Sequence, residues 1–213
     1  MEFKKFLQYI SSCKNIALPG QASQFKLSPP FRKQLLEKQK DKIKNAKRAG
    51  VIALFYPDRD SQTKFALILR KTYKGVHSAQ IGFPGGKYEE QDKNIEQTAL
   101  RETYEEIGVS VANIEICKAL TEVYIPPSNF YVNPFFAITR ITPNFIKQDE
   151  EVEDIIEILL EDFLDDNKVI ETSVSTSYSR AIEVPAFELN DHIIWGATAM
   201  MLSEIKDMLK QMI

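Results

Sequence analysis

Three glutamates at helical spacing are the residues of this sequence whose types and positions could do chemistry. Glu102 and Glu106 are four residues apart and Glu105 is three from Glu102, so a helix would place all three carboxylates on one face. Carboxylates that close repel one another unless a cation is present. Arg101 can pair with Glu105, four residues later, but negative charge remains. Taken alone, the pattern is more typical of a solvated acidic helix face.

A glycine-rich turn that precedes these carboxylates favours a metal site over a merely acidic surface. The turn runs Gly82-Phe83-Pro84-Gly85-Gly86-Lys87, and its glycines allow the backbone to approach a ligand closely. Carboxylates without an accompanying set of His or Cys ligands suit a hard divalent ion. Mg²⁺ in particular is bound through a few carboxylates together with phosphate oxygens of a substrate. The turn and the glutamates therefore predict one metal and phosphate site.

The elements that must position this site can also be predicted from the sequence. Apolar residues recur at three- and four-residue steps from Ile95, which predicts an amphipathic helix that Gly108 ends. The segments 51–55 and 65–69 are apolar enough for two buried strands joined by a hairpin loop. Further strands are expected at 114–116, 119–124, 132–141 and 154–160. Because Pro134 lies near the start of the third of these, we expect that strand at a sheet edge.

The residues of the turn and the helix resemble the box of the Nudix hydrolases, which cleave nucleoside diphosphates linked to another moiety. The matching positions are Gly86, Arg101, Glu102, Glu105, Glu106, Gly108 and Val109. Asp92 stands where the family usually has glutamate, and Arg101 comes one position later than in the commonest form. Both departures are similar to the coenzyme A pyrophosphatase branch. The segment 67–86 resembles an upstream motif of that branch, with Gly75 replacing a usual arginine and Ala79 a usual glycine.

The resemblance implies an α/β fold, a Nudix-type α/β/α sandwich around a mixed sheet, in residues 49–213. Residues 1–48 would then form an N-terminal helical extension. It also implies a Mg²⁺ or Mn²⁺ ion held by Glu102, Glu105, Glu106 and the carbonyl of Gly86, with Arg101 orienting the carboxylates. A glutamate outside the box often serves as general base in this family. Glu151 is our first choice for that base and Glu153 the second.

The implied substrate is coenzyme A or an acyl derivative, cut to 3′,5′-ADP and (acyl-)phosphopantetheine. Substrate contacts are expected from Arg70, His77, Gly85, Gly86, Ser128 and Phe130. For two of them a structural role is open, since Arg70 could pair with a carboxylate and Phe130 could belong to the core. Another nucleoside diphosphate conjugate, such as ADP-ribose or a dinucleotide, is the alternative substrate. A module that binds nucleotide without cutting it is the alternative function, although the unbroken Arg-Glu-x-x-Glu-Glu argues against it.

Composition limits the remaining function classes. The chain of 213 residues fits one globular domain with an extension. Its net charge of −3 argues against general nucleic-acid binding. Two cysteines give no disulfide framework, which favours a reducing cytoplasm. No apolar run approaches the roughly 18 residues of a membrane span.

Two further segments have more than one interpretation. The basic run 38–48 predicts a solvated helix leading into the first strand, or alternatively a surface that captures a polyanionic substrate. Methionines and leucines from Met200 to Met212 recur at helical spacing in a last helix that begins after Trp195. That stripe is interpreted as core or as the face of a homodimer.

Overall fold

The computed structural model describes residues 1–71, 80–174 and 181–213 of the chain. Its helices are α1 Phe3–Ile10, α2 Gly20–Gln24, α3 Arg32–Lys38, α4 Ile95–Ile107, α5 Leu160–Leu164 and α6 Gly196–Lys210. The strands of the central sheet are β1 Lys47–Pro57, β2 Thr63–Arg70, β3 Ile81–Gly82, β4 Gly85–Lys87, β5 Glu115–Ala119, β6 Val123–Ile125, β7 Phe130–Ile138 and β8 Val152–Leu159. A smaller sheet contains β9 Val169–Val174, β10 Ile182–Leu189 and β11 His192–Trp195.

The central sheet is mixed, as the family resemblance implied. Its main path runs β3-β2-β1-β7-β5, with β4 on β1, β6 on β7 and β8 on β2. The pair β1 and β7 is parallel, and the other pairs are antiparallel. The parallel pair requires a long crossover, which contains β2 to β4 and helix α4. This topology places the glycine turn and α4 beside the middle strand of the sheet.

Helices cover both faces of the sheet and complete the α/β/α sandwich. Successive residues of β1 point to opposite faces, because side chains alternate along a strand. Ile52 and Leu54 pack in one cluster with Ala99 of α4. Ala53 and Phe55 pack in the other cluster, which includes buried residues of α1 and α6. The three-layer architecture is therefore confirmed.

The N-terminal segment is part of the main core. Phe6 of α1 is fully buried and its ring stacks on Phe55 with the centroids 5.4 Å apart. The domain boundary expected between residues 48 and 49 falls inside β1, which begins at Lys47. The methionine stripe of α6 is also core, since Met200, Met201 and Met208 are buried against the sheet within one chain. The stripe therefore offers no face for a homodimer.

The prediction of a helix over residues 38–48 is wrong. Helix α3 ends at Lys38, a short 3-10 turn follows at Ile43–Asn45, and Lys47 and Arg48 already belong to β1. The run 38–48 contains only two apolar residues, Ile43 and Ala46, so a helix there would have no apolar face to bury.

The prediction that the strand containing Pro134 lies at a sheet edge is also wrong. Strand β7 lies inside the sheet, with β1 on one side and β5 and β6 on the other. Pairing with β6 reaches Val132 and pairing with β5 begins at Phe135, so the proline falls where the neighbouring strand changes. Its carbonyl still accepts from the N–H of Leu120 at 2.9 Å. A proline without a ladder donor is tolerated at such a gap.

No helix within the described ranges is long and apolar enough to cross a membrane.

Candidate active site

Helix α4 carries the three predicted glutamates and has well-defined ends. The side chain of Asn94 accepts a hydrogen bond from the N–H of Gln97 at 2.8 Å, which caps the first turn. Gly108 follows the last turn with φ 74° and donates to the carbonyl of Tyr104 at 2.9 Å. The predicted limits, Ile95 and Gly108, are confirmed. The two caps fix the register in which the carboxylates face the sheet.

Glycines bring the sheet and α4 into close contact. Gly50 of β1 lies opposite Gly86 of β4. A Cβ atom on Gly50 would be 2.4 Å from the carbonyl oxygen of Ile95, and one on Gly86 would be 2.3 Å from Cδ of Glu102. The helix start and the carboxylate of Glu102 therefore rest directly on strand backbone. Gly50 was missed by the sequence reasoning, although a glycine inside a strand pattern is the usual signal of such an approach.

Glu106 is the most unusual of the carboxylates because it is buried and one of its oxygens accepts no hydrogen bond in the described structure. It is 1 % exposed, and its Oε2 accepts a hydrogen bond from the N–H of Gly85 at 2.7 Å. Its Oε1 accepts none within the described structure, and Nη2 of Arg70 lies 3.4 Å away from it. Burial raises the pKa of Glu106 to about 7, with Arg70 and the Gly85 N–H opposing the shift and Glu102 adding to it.

Arg101 gathers the other acids of the site. It donates to both carboxylate oxygens of Asp92, from Nε at 2.9 Å and from Nη2 at 3.0 Å. Its Nη1 lies 2.9 Å from Oε1 of Glu102 and 2.9 Å from Oε2 of Glu105. The hydrogen bonds from Arg101 hold the pKa of the buried Asp92 carboxyl well below its usual range. The aspartate therefore acts as the anchor of Arg101, which in turn orients two glutamates.

Comparison with known proteins identifies this arrangement. The sequence profile of the NUDIX domain matches residues 46–174. The chain belongs to the Nudix family. Two solved Nudix proteins share the fold: the hydrolase RenU of M. smegmatis (TM-score 0.54, 12% identity, 79% of this chain and 88% of that one) and a MutT/nudix family protein of Enterococcus faecalis (TM-score 0.50, 18% identity, 78% and 62%).

Several curated relatives are described as coenzyme A diphosphatases. The peroxisomal coenzyme A diphosphatase of Caenorhabditis elegans is 29% identical over 155 residues, which is 72% of this chain and 64% of the relative. A mitochondrial coenzyme A diphosphatase of Mus musculus is 31% identical, over 71% of this chain and 68% of the relative. Mitochondrial Nudix hydrolase 15 of Arabidopsis thaliana is 33% identical, over 78% and 60%. The chain thus spans about three fifths to two thirds of the relatives' length.

The three glutamates of the Nudix helix do not share one environment. Glu106 points inward, the side chain of Glu102 is 14% exposed, and that of Glu105 is 51% exposed and held by Arg101. Burial raises the pKa of Glu102 as well. Across the described residues, no three His, Cys, Asp or Glu side chains form a ready-made metal site. The predicted metal set of Glu102, Glu105, Glu106 and the Gly86 carbonyl stays a prediction.

The residues present nevertheless fit a hard divalent cation. Glu106 offers a buried oxygen that lacks a hydrogen bond, and Glu102 lies one helical turn earlier on the same side of α4. Gly86 leaves room for the carboxylate of Glu102 against the strand. This donor set is oxygen only, which suits Mg²⁺ or Mn²⁺ rather than a softer metal. Nudix hydrolases generally use divalent metals.

Of the two glutamates considered as general base, Glu151 is the one whose charge acts on this site. Its carboxylate raises the pKa of both Glu102 and Glu106. Its carbonyl accepts from the N–H of Lys71 at 2.9 Å, which ties it to the end of β2. Glu153 is exposed on β8, and its carbonyl accepts from Nζ of Lys147 at 2.7 Å. The charge coupling to Glu102 and Glu106 therefore supports Glu151, and the role itself stays a prediction.

The predicted substrate contacts divide into near and remote groups. Arg70 lies at the carboxylates, and the N–H of Gly85 is already used by Glu106. Phe130 lies opposite Lys47, three residues along β1 from Gly50, or about 10 Å. Ser128, in the 3-10 turn Pro126–Ser128 that precedes β7, has a buried hydroxyl for which the described structure provides no partner. His77 lies outside the described residues.

Proposed function

We propose that this Nudix protein is a divalent-metal-dependent pyrophosphohydrolase that cleaves coenzyme A or acyl-coenzyme A to 3′,5′-ADP and (acyl-)phosphopantetheine. The observation that carries the reaction type is the buried oxygen of Glu106 that accepts no hydrogen bond in the described structure, beside Glu102 and the glycine turn. Support for the substrate comes from the coenzyme A diphosphatases that match about 70% of the chain. The chain's departures from the upstream motif, Gly75 and Ala79, lie outside the described residues.

Mg²⁺ or Mn²⁺ would be held by Glu102 and Glu106, with Glu105 and the Gly86 carbonyl as further ligands. Such an ion supplies positive charge to the diphosphate oxygens and lowers the pKa of water. Arg101 keeps Glu102 and Glu105 in place, because Asp92 holds its guanidinium at two points. The anchored arginine thereby preorganises the carboxylates before the substrate arrives.

The residues of the chain would divide the hydrolysis among them. Water attacks one phosphorus, the bond from that phosphorus to the bridging oxygen breaks, and the leaving phosphate departs with that oxygen. The carboxylate of Glu151 accepts the proton that the attacking water loses. Arg70 neutralises charge on the diphosphate oxygens. Positioning and charge neutralisation thus account for most of the catalysis, as is usual for phosphoryl transfer.

The basic residues before and at the start of β1 support recognition of a polyanionic substrate. Lys47 lies over the ring of Phe130 with Nζ 5.9 Å from the centroid, and Arg48 donates to Asn133 at 3.0 Å. Both lie on the strand that carries Gly50. We propose that this end of β1 attracts the ribose phosphate of the substrate, while Phe130 contacts the base or sugar.

We propose a reducing compartment, the cytoplasm, as the site of action. Cys13 and Cys117 are both buried and free, and Sγ of Cys13 lies 3.8 Å from the carbonyl oxygen of Cys117. Burial raises the pKa of both thiols, which keeps them protonated. Such thiols need no oxidising environment.

A substrate panel tests the proposed function. Wild type, Glu106→Gln and the matched surface control Glu115→Gln are incubated with Mg²⁺ or Mn²⁺ and each of four substrates: coenzyme A, acetyl-coenzyme A, ADP-ribose and a dinucleotide. We expect 3′,5′-ADP from the first two with wild type and control, and a loss of at least about 1000-fold in kcat with Glu106→Gln. Turnover of ADP-ribose alone would contradict the coenzyme A assignment. Nucleotide binding without turnover in any protein would contradict the hydrolase itself.

A further inference from the structure

Arg70 lies against the one oxygen of Glu106 that accepts no hydrogen bond in the described part of the chain. Its Nη2 is 3.4 Å from that oxygen, and its Nη1 is 3.5 Å from the carbonyl oxygen of Gly85. The contacts of Arg101 with carboxylates in the same site measure 2.9 to 3.0 Å. Arg70 therefore neutralises Glu106 without being tightly held there.

The strand that carries Arg70 aims it at the site. Strand β2 pairs with β8, and the register shifts between Leu69 and Arg70, so that Leu69 faces Asp154 whereas Arg70 faces Val152. The extra residue of this bulge is Glu153 on β8, so β8 bends directly beside Arg70. The side chain of Arg70 is 29% exposed, and the side chain of its partner Glu106 is 2% exposed. One guanidinium thus faces both a buried anion and the open side of the site.

Arg70 and a divalent cation compete for this oxygen of Glu106. Mg²⁺ binds carboxylate oxygens at about 2.0–2.1 Å, and two positive charges at such close quarters repel strongly. A cation that binds Glu106 therefore weakens the contact between Glu106 and Arg70. The freed guanidinium has the planar fork that matches two phosphate oxygens.

We propose that Arg70 exchanges partners: it pairs with Glu106 before a divalent cation binds, and with the diphosphate of the substrate once the cation has displaced it. The identity of the two ligands rests on the proposed function. The exchange couples the two binding events, because the cation removes the contact that withholds Arg70 from the substrate. Metal binding would then strengthen diphosphate binding beyond the bridge that the ion itself makes.

The first arm of the test measures metal binding without substrate. Mn²⁺ is titrated calorimetrically into wild type, Arg70→Gln and Arg70→Lys at about pH 8.5, where carboxyls are ionised. Arg140→Gln is the surface control, since Arg140 pairs with Glu115 at the far end of β7. We expect Arg70→Gln to bind Mn²⁺ about threefold tighter or more, because the competing charge is gone. Arg70→Lys, which keeps the charge, should bind it like wild type.

The second arm measures binding of ADP, a nucleoside diphosphate, with and without Mn²⁺. In wild type, Mn²⁺ should strengthen ADP binding about tenfold more than it does in Arg70→Gln, a difference of about 1.4 kcal/mol. Arg70→Lys should recover only part of this gain, since an ammonium group cannot bind two oxygens in the fork geometry. Circular dichroism confirms that each variant is folded.

The results that overturn this inference differ from those that overturn the proposed function. Unchanged or weaker Mn²⁺ binding by folded Arg70→Gln would disprove the exchange even if coenzyme A is hydrolysed. Tighter Mn²⁺ binding by Arg70→Gln together with the lost ADP coupling would establish the exchange even if no substrate in the panel is cleaved. Equal ADP coupling in wild type and Arg70→Gln would also disprove it.

Discussion

Each carboxylate on α4 has its own environment, although the three share one side of a helix. Glu105 is half exposed and paired with Arg101, Glu102 is mostly buried against Gly86, and Glu106 is buried beneath the glycine turn. Arg101 neutralises the first two but does not contact the third. The unfavourable electrostatics of the site are thus concentrated on Glu106, where burial opposes ionisation.

The raised pKa of Glu106 makes its effect on stability depend on pH. It ionises near 4.5 in the unfolded chain and near 7 in the folded one, so the folded state binds more protons between these values. Stability is therefore lost as pH rises from about 4.5 to 7, and the loss is complete above that range. Without metal, we expect Glu106→Gln to be more stable than wild type by up to about 3 kcal/mol at pH 8.5, and nearly equal at pH 5.

Thermal or urea unfolding in a chelator, at both pH values, measures this difference. Adding Mn²⁺ should reverse the order at the higher pH, because the ion stabilises only the ionised carboxylate of wild type. If the stabilities of the two proteins change in parallel from pH 5 to 8.5, Glu106 does not have a raised pKa in the folded state.

At the scale of elements, the sheet and the box helix meet through glycines, and each glycine has a different neighbour. The missing side chain of Gly50 makes room for helix backbone, namely the carbonyl of Ile95. The missing side chain of Gly86 makes room for the end of a side chain, the carboxylate of Glu102. Backbone cannot yield, whereas a flexible side chain can rotate away.

Alanine substitutions at these two paired glycines should therefore have different effects. Gly50→Ala should lower the free energy of unfolding by about 3 kcal/mol, because α4 must move away from β1. Gly86→Ala should fold almost normally but bind Mn²⁺ about tenfold more weakly, since the new methyl group displaces Glu102. Urea unfolding and calorimetry on both variants separate the two effects. Equal loss of stability in both variants would show that Glu102 cannot move aside.

Elements with their own sequence signals were predictable, and those fixed by distant contacts were not. The periodic residues and Gly108 defined α4 at both ends. The interior location of Pro134 in the sheet could not be predicted, because it depends on where the pairing of β7 with β6 stops and its pairing with β5 begins. At the site, the spacing of the glutamates was visible in the sequence. Their unequal burial, and the contact between Arg70 and Glu106, arise only when β2, β4 and α4 assemble.

At the scale of the whole molecule, the chain outside the matched Nudix segment completes the core. Residues 46–174 match the family profile, yet α1 and α6 supply much of one face of the sandwich. Phe6 is fully buried between Phe55 and Phe136. Glu204 of α6 is fully buried too, and it accepts hydrogen bonds from Gln24 at 2.8 Å and from the hydroxyl of Thr121 at 2.6 Å. Both terminal segments are therefore structural parts of the domain.

Truncating one aromatic ring tests this dependence. Phe6→Ala should lower the free energy of unfolding by about 3–5 kcal/mol, because the cavity it leaves is enclosed by other aromatic rings. Lys4, an exposed residue of the same helix, provides the control. Lys4→Ala should change the free energy of unfolding by less than about 0.5 kcal/mol. Both are measured by urea denaturation. A Phe6→Ala variant as stable as the control would mean that α1 merely covers a core already complete without it.

The spacing along β1 has a consequence for how the proposed enzyme could diversify. Gly50 supports the reacting centre, while Phe130 and the 3-10 turn Pro126–Ser128 lie about 10 Å away, beside the first residue of the same strand. Loops on a rigid scaffold can be exchanged with little effect on the framework beneath them. Grafting a different turn at 126–128 should therefore redirect this scaffold to another nucleotide conjugate while leaving its bond-cleaving apparatus intact.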